Sequence, residues 1–142
     1  MTKNTKLDSQ QINIITDYAV NYNPIEKTAF AEFIREKRKE YNEEYGQEIS
    51  TSDLGKMLGI KYEMFRKILN QEKPTKKRDC IISICIALRR TPGEIDEALR
   101  LYQYMPALNE NDTRDSFIIN QIIDNSNISI PELNNRLLQR GL

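Results

Sequence analysis

The sequence predicts an all-helical fold, a compact helical domain, on three observations. Apolar residues recur at the 3.6-residue spacing of helices rather than in alternation. Helix starts and stops are marked by N-cap residues, prolines and glycines. The one run whose period is ambiguous, CIISICIAL over 80–88, has no partner strand anywhere in the chain. With 142 residues and 39% apolar content, the chain can bury one core but is short for two independent domains. The punctuation divides it into a polar N-terminus with an accessory helix (1–23), a central helical domain (24–104) and a C-terminal helical hairpin packed on that domain (105–142).

Each element follows from its residues. In 8–22, Ile12, Ile15, Ala19 and Tyr22 share one face and mark the accessory helix, which ends before Asn23-Pro24. Asn23 as N-cap, Pro24 at the first helical position and Glu26 at the third open a long helix. Its inner stripe is Ile25, Ala29, Phe33, Ile34, Tyr41 and Tyr45, and Gly46 stops it. Ser50-Thr51-Ser52-Asp53 forms a capping-box variant before a short helix bearing Leu54, Met57 and Leu58, which ends at Gly59. A helix over 61–69 follows almost at once, with Phe65 and Ile68 on one face. The ambiguous run reads as a helix starting near Thr75, apolar all round because it is central, so something C-terminal must provide its second cover.

Thr91-Pro92-Gly93-Glu94 then opens a helix with Ile95, Ala98, Leu99 and Tyr102 on one stripe. A helix over 114–125 presents Ile118, Ile119, Ile122 and Ile123, and Ser129-Ile130-Pro131-Glu132 opens the last one, with Leu133 and Leu137. The order Arg78-Asp79, apolar helix, capped helix recurs as Arg114-Asp115, apolar helix, capped helix, at an offset of 36 to 38 residues (78 to 114, 91 to 129). This reads as one helical hairpin stacked on another. The Arg140-Gly141 ending resembles a hinge and leaves room for a longer parent protein.

Lysine plus arginine (21) equals aspartate plus glutamate (21), so net charge says nothing about a polyanionic partner. Its distribution is uneven: 35–78 holds twelve basic and eight acidic residues, hence +4, whereas 1–34 (three and four) carries −1 and 79–142 (six and nine) carries −3. No window approaches the run of about 18 apolar residues needed to span a membrane, and the polar N-terminus has no signal core, so no membrane partner and a cytoplasmic location are expected. Cys80 and Cys85 fall on different faces of a helix and are expected to be buried free thiols. The chain has no histidine. A zinc site would need both thiolates plus carboxylates, and the usual general base of nucleophilic triads is missing. Asp96 and Glu97 are adjacent and point apart on a helix. No catalytic site, metal or cofactor is expected.

The functional signal lies in 51–70. A short helix joined to the next by a tight turn crosses it closely, so it needs a small residue near its start, a left-handed residue at the turn and apolar contacts beyond. Gly55, Gly59, Ile60, Phe65 and Ile68 meet these needs, with Leu54 and Leu58 facing inward. These seven positions resemble the helix-turn-helix of the phage-repressor and Cro-like (xenobiotic-response-element type) DNA-binding family. The resemblance extends over about 33–104, through the polar loop with Pro74, the apolar helix and the capped helix after it, and it implies a five-helix repressor-like core. Two positions depart from the family: Gln71 stands where glycine is favoured, and Thr51 where glutamine is common.

The resemblance implies that the helix over 61–69 enters the major groove of double-stranded DNA in a transcriptional regulator. Tyr62, Glu63, Arg66 and Asn70 would then read base edges, with Arg66 meeting guanine O6 and N7 together. Thr51, Lys61, Lys67, Lys73, Lys76, Lys77 and Arg78 would bind phosphates. Cations at 73–78, read as the first turn of the next helix, oppose its dipole unless an anion arrives; the other reading is that Glu72 and Asp79 neutralise them. A homodimer with the C-terminal hairpin as interface is expected, because one such module reads few base pairs. The alternative is a protein-interaction or antitoxin-like module of a larger protein, binding its partner through the C-terminal helices.

Overall fold

A computed structural model of the chain describes residues 25–142. Among them are seven helices and no strand: α1 (Lys27–Tyr45), α2 (Thr51–Met57), α3 (Tyr62–Leu69), α4 (Arg78–Ala87), α5 (Pro92–Leu101), α6 (Thr113–Asp124) and α7 (Ile130–Gln139). The all-helical class expected from periodicity is the class observed. The accessory helix expected over 8–22 and the Asn23-Pro24 start of the long helix lie outside the described residues. No helix among the described residues is long and apolar enough to cross a membrane.

Local punctuation sets most of the boundaries. Ser50 and Asp53 cap α2 reciprocally, the Asp53 amide donating to Ser50 Oγ (3.1 Å) and the Ser50 amide to Asp53 Oδ2 (2.9 Å). Thr91 and Glu94 do the same for α5, and Ser129 caps α7. Gly46 ends α1 in the left-handed region at φ 61°. Two starts differ from expectation by more than one residue. Glu26 is still extended and is the N-cap of α1, not a residue of its first turn. Helix α4 starts at Arg78 rather than near Thr75, because the Thr75 amide donates to the Tyr102 hydroxyl (3.2 Å) and the Lys77 amide to Thr75 Oγ1 (3.0 Å). Such bonds hold the backbone in a turn that competes with helix.

The core is built around α4, which packs against α5, α2 and α7. Ile81, Ile82, Ile84, Cys85, Ile86 and Leu88 are all buried, and α7 supplies the second cover with Leu133 and Leu137. Burial pushes the Cys85 thiol up to about 12, and both cysteines are free. On α1 the inward stripe is rotated from the expected one. Phe30, Ile34 and Tyr41 are buried, while Phe33 and Tyr45 sit half-buried at its margin. Phe30 turns inward because α5 packs there: its ring meets Tyr102 edge-on, centroids 4.8 Å apart. Of the four isoleucines expected on α6 only Ile118 and Ile122 are buried, and Ile123 is exposed.

The two Arg-Asp dipeptides of the repeated pattern bind each other. Arg78 donates to both oxygens of Asp115 (3.0 and 2.7 Å), and Arg114 to both oxygens of Asp79 (2.9 and 2.8 Å). Arg78 also donates to the carbonyls of Pro106 and Ala107, both at 2.8 Å. Asp115 is buried and accepts a further bond from the Asn109 amide (3.0 Å). The Arg78 guanidinium, helped by that amide, holds the Asp115 carboxyl below the usual carboxylate range against the opposing effect of burial. This reciprocal pair of bidentate bridges pins the start of α6 to the start of α4.

Candidate nucleic-acid interface

Helices α2 and α3 cross at Gly55. A Cβ built there would lie 3.1 Å from the Phe65 ring and 3.2 Å from the Ile60 carbonyl oxygen, so the crossing is closer than a side chain at this position fits without a shift of its neighbours. The turn follows from the backbone. Gly59 is left-handed at φ 70°, its amide donates to Lys56 (3.0 Å), and the Ile60 amide reaches back to the Gly55 carbonyl (2.9 Å). That pair of bonds closes α2 and lets α3 begin two residues later. Leu54 and Phe65 are fully buried at the contact, and Ile68 and Leu69 are buried further along α3.

With that side of α3 buried, the opposite one faces out. Tyr62, Glu63 and Asn70 are exposed, and Arg66 and Lys67 partly so. Tyr62, Arg66 and Asn70 line a cleft of about 160 Å³ together with Thr51 of α2 and Arg35 and Arg38 of α1. Four of the sequence-predicted residues are thus brought to one place. Arg35 and Arg38 were not foreseen, although Arg35 opens the basic stretch of the sequence. They lie one turn apart on α1, and Arg38 also donates to the Ile49 carbonyl (2.8 Å), which fixes the approach to the α2 cap.

Arg66 is already paired. Its Nη1 is 2.7 Å from Glu72 Oε2 and its Nη2 is 3.5 Å from Glu63 Oε2. The hydrogen bond that Arg66 donates to Glu72, with the charges of Glu72 and Glu63, raises the Arg66 pKa further. Lys61 is the N-cap of α3, and Lys73, Lys76 and Lys77 lie exposed in the loop after it. None of these lysines, nor Lys67 or Arg35, forms an ion pair with a described residue, so neutralisation of the lysines by Glu72 and Asp79 is not what is seen. Helix α4 begins after the loop, so only Arg78 of the basic cluster occupies a first helical turn.

Two residues have roles that charge and periodicity hid. Tyr102, expected only as part of an apolar stripe, donates its buried hydroxyl to the Ile68 carbonyl at 2.7 Å while accepting from Thr75. It thereby ties the end of α3 to the lysine loop. Arg78, expected on a phosphate, is a correction. Four of its donor bonds go to Asp115, Pro106 and Ala107, so it belongs to the bridge between α4 and α6 and not to the exposed basic surface. Comparison with models of protein families, with curated proteins and with solved structures finds no match for the chain.

Proposed function

We propose that the chain binds double-stranded DNA sequence-specifically as a cytoplasmic transcriptional regulator, using a repressor-like helix-turn-helix made of α2 and α3. In this reading α3 enters the major groove, and Tyr62, Glu63, Arg66 and Asn70 read base edges. Thr51, Lys61, Lys67, Lys73, Lys76 and Lys77 take phosphates, joined by Arg35 and Arg38 beside the cleft. The observation that carries the reading is the close crossing at Gly55, which leaves one face of α3 exposed near lysines and Arg35 that form no ion pair with a described residue. Dimerisation through the hairpin would place two such faces on successive half-sites. The protein-interaction reading is favoured by one observation of its own: Ile123 and Leu138 on α6 and α7 are 67% and 77% exposed.

Binding of the purified protein to random duplex DNA at several salt concentrations separates the two. A regulator with four to six phosphate contacts has log K falling with log salt at a slope of about −0.9 per contact. Absence of binding at low salt would sink the DNA reading and leave the interaction module.

A further inference from the structure

The face of α3 carries two carboxylates that reach Arg66 by different routes. Glu63 stands on the helix itself, one turn before the arginine, and its contact is long. Glu72 lies beyond the helix end and returns to within 2.7 Å. What returns it is Gln71, a non-glycine residue in the left-handed region at φ 59°. A side chain there costs about 1 to 2 kcal/mol that a glycine would avoid. The Gln71 side chain is 3% exposed, and its Nε2 has no hydrogen-bond partner among the described residues. The Gln71 amide donates to Ile68 and the Lys73 amide to Lys67, both at 3.2 Å, which folds the chain back under α3. The two backbone bonds form the turn, and a side chain at Gln71 restricts it more than a glycine would, which limits the directions in which Glu72 can leave.

We infer that Glu72 is a specificity-determining residue, which holds the Arg66 guanidinium across α3 so that it gains little from a phosphate and keeps donors for a guanine edge. The inference rests on the DNA-binding reading of the preceding section. An unpaired arginine on this face would meet any phosphate within reach, adding affinity without sequence information. With Glu72 in place, a phosphate has to displace a carboxylate already held within the chain, which exchanges one ionic hydrogen bond for another. A guanine asks for something else. Its O6 and N7 are two acceptors in one plane, and a guanidinium has five N–H donors, of which Glu72 engages one and Glu63 approaches another. Guanine can therefore be met while Glu72 stays bound.

The test compares a duplex selected from a random pool by the wild-type protein, the same duplex with individual guanines changed to adenine, and an unrelated duplex. Titrations are run with wild type, Glu72→Gln, Gln71→Gly, Arg66→Ala and the Glu72→Gln/Arg66→Ala double variant. Glu72→Gln is expected to bind the unrelated duplex about threefold to tenfold more tightly and to lose most of its guanine preference at one position. Gln71→Gly keeps every charge and is expected to lose part of the same preference. In the Arg66→Ala background, Glu72→Gln should raise affinity for all duplexes alike and leave discrimination where it stood. An unchanged preference in Glu72→Gln, or an equal loss with and without Arg66, overturns the inference. Failure of the wild-type protein to bind any duplex overturns the DNA reading itself, and this inference with it.

Discussion

Arg66 and Arg78 lie twelve positions apart, each bound to carboxylate, and they do opposite things. Arg66 is held at an exposed surface by Glu63 and Glu72, partners that a ligand can replace or join. Arg78 is tied to the linker before α6 by a buried aspartate and two backbone carbonyls, so a ligand would have to compete with four bonds made within the chain. The lesson is that a cation is available to a polyanion according to the burial of its partner, not according to its place in a basic run. Lys77, next to Arg78 in sequence, has the reverse fate: it is exposed and forms no ion pair with a described residue.

The widest separation between the two regions is expected from neighbouring alanine substitutions. Arg78→Ala leaves the Asp115 carboxylate buried without its counter-ion and should lower unfolding free energy by about 3 kcal/mol. Lys77→Ala should change it by less than about 0.5 kcal/mol. Urea titration of both variants measures the difference, and equal stability would erase the distinction drawn here. Next in size is Gly55→Val, whose side chain would collide with the Phe65 ring and the Ile60 carbonyl. A loss of about 2 kcal/mol is expected, together with any DNA binding, because α3 must move to make room.

Tyr102→Phe removes the strut between α3 and the lysine loop and leaves the Ile68 carbonyl and Thr75 amide without it. The expected cost is about 1 to 2 kcal/mol, read as a lower melting temperature, with faster amide exchange over 73–77. A smaller effect appears in acid. Arg78 holds the Asp115 carboxyl below its ordinary value, so the unfolded chain takes up the proton first as the pH falls. The stability from this pair is complete near neutral pH and is lost as the pH drops through and below about 3.9. Acid titration of Arg78→Ala should show a shallower decline, and an unchanged acid limb would detach Asp115 from the bridge. Least of all should fold stability respond to Lys76→Ala plus Lys77→Ala. That pair should weaken binding to every duplex alike and reduce the salt slope by about 1.8, two contacts at 0.9 each.

The contrast between the two arginines also marks how far residues alone could be read. The capping boxes at Ser50 and Thr91, the Ser129 cap and the stops at Gly46 and Gly59 were all legible, since each is completed by groups within five residues of one another. The Gly55–Phe65 crossing was legible for the same reason: a tight turn leaves few ways for one helix to pass the next. Tyr62, Arg66, Asn70 and Thr51 were likewise anticipated as one surface. Illegible were the choice of Phe30 over Phe33, the arrival of Arg35 and Arg38 at the cleft, and the hydroxyl of Tyr102 under α3.

Sequence by itself determined the capped helix ends, which run is central, and which short pair of helices must cross closely. It also set down two Arg-Asp dipeptides in matching positions, without revealing that each binds the other. Only tertiary structure decided which cations are tied to carboxylates and which face water, because for Arg78 and Arg114 that depends on partners 35 to 37 residues away. Capping and periodicity act over a helical turn and are encoded locally. The environment of a charge is set by every element packed around it, and no stretch of chain carries that information alone.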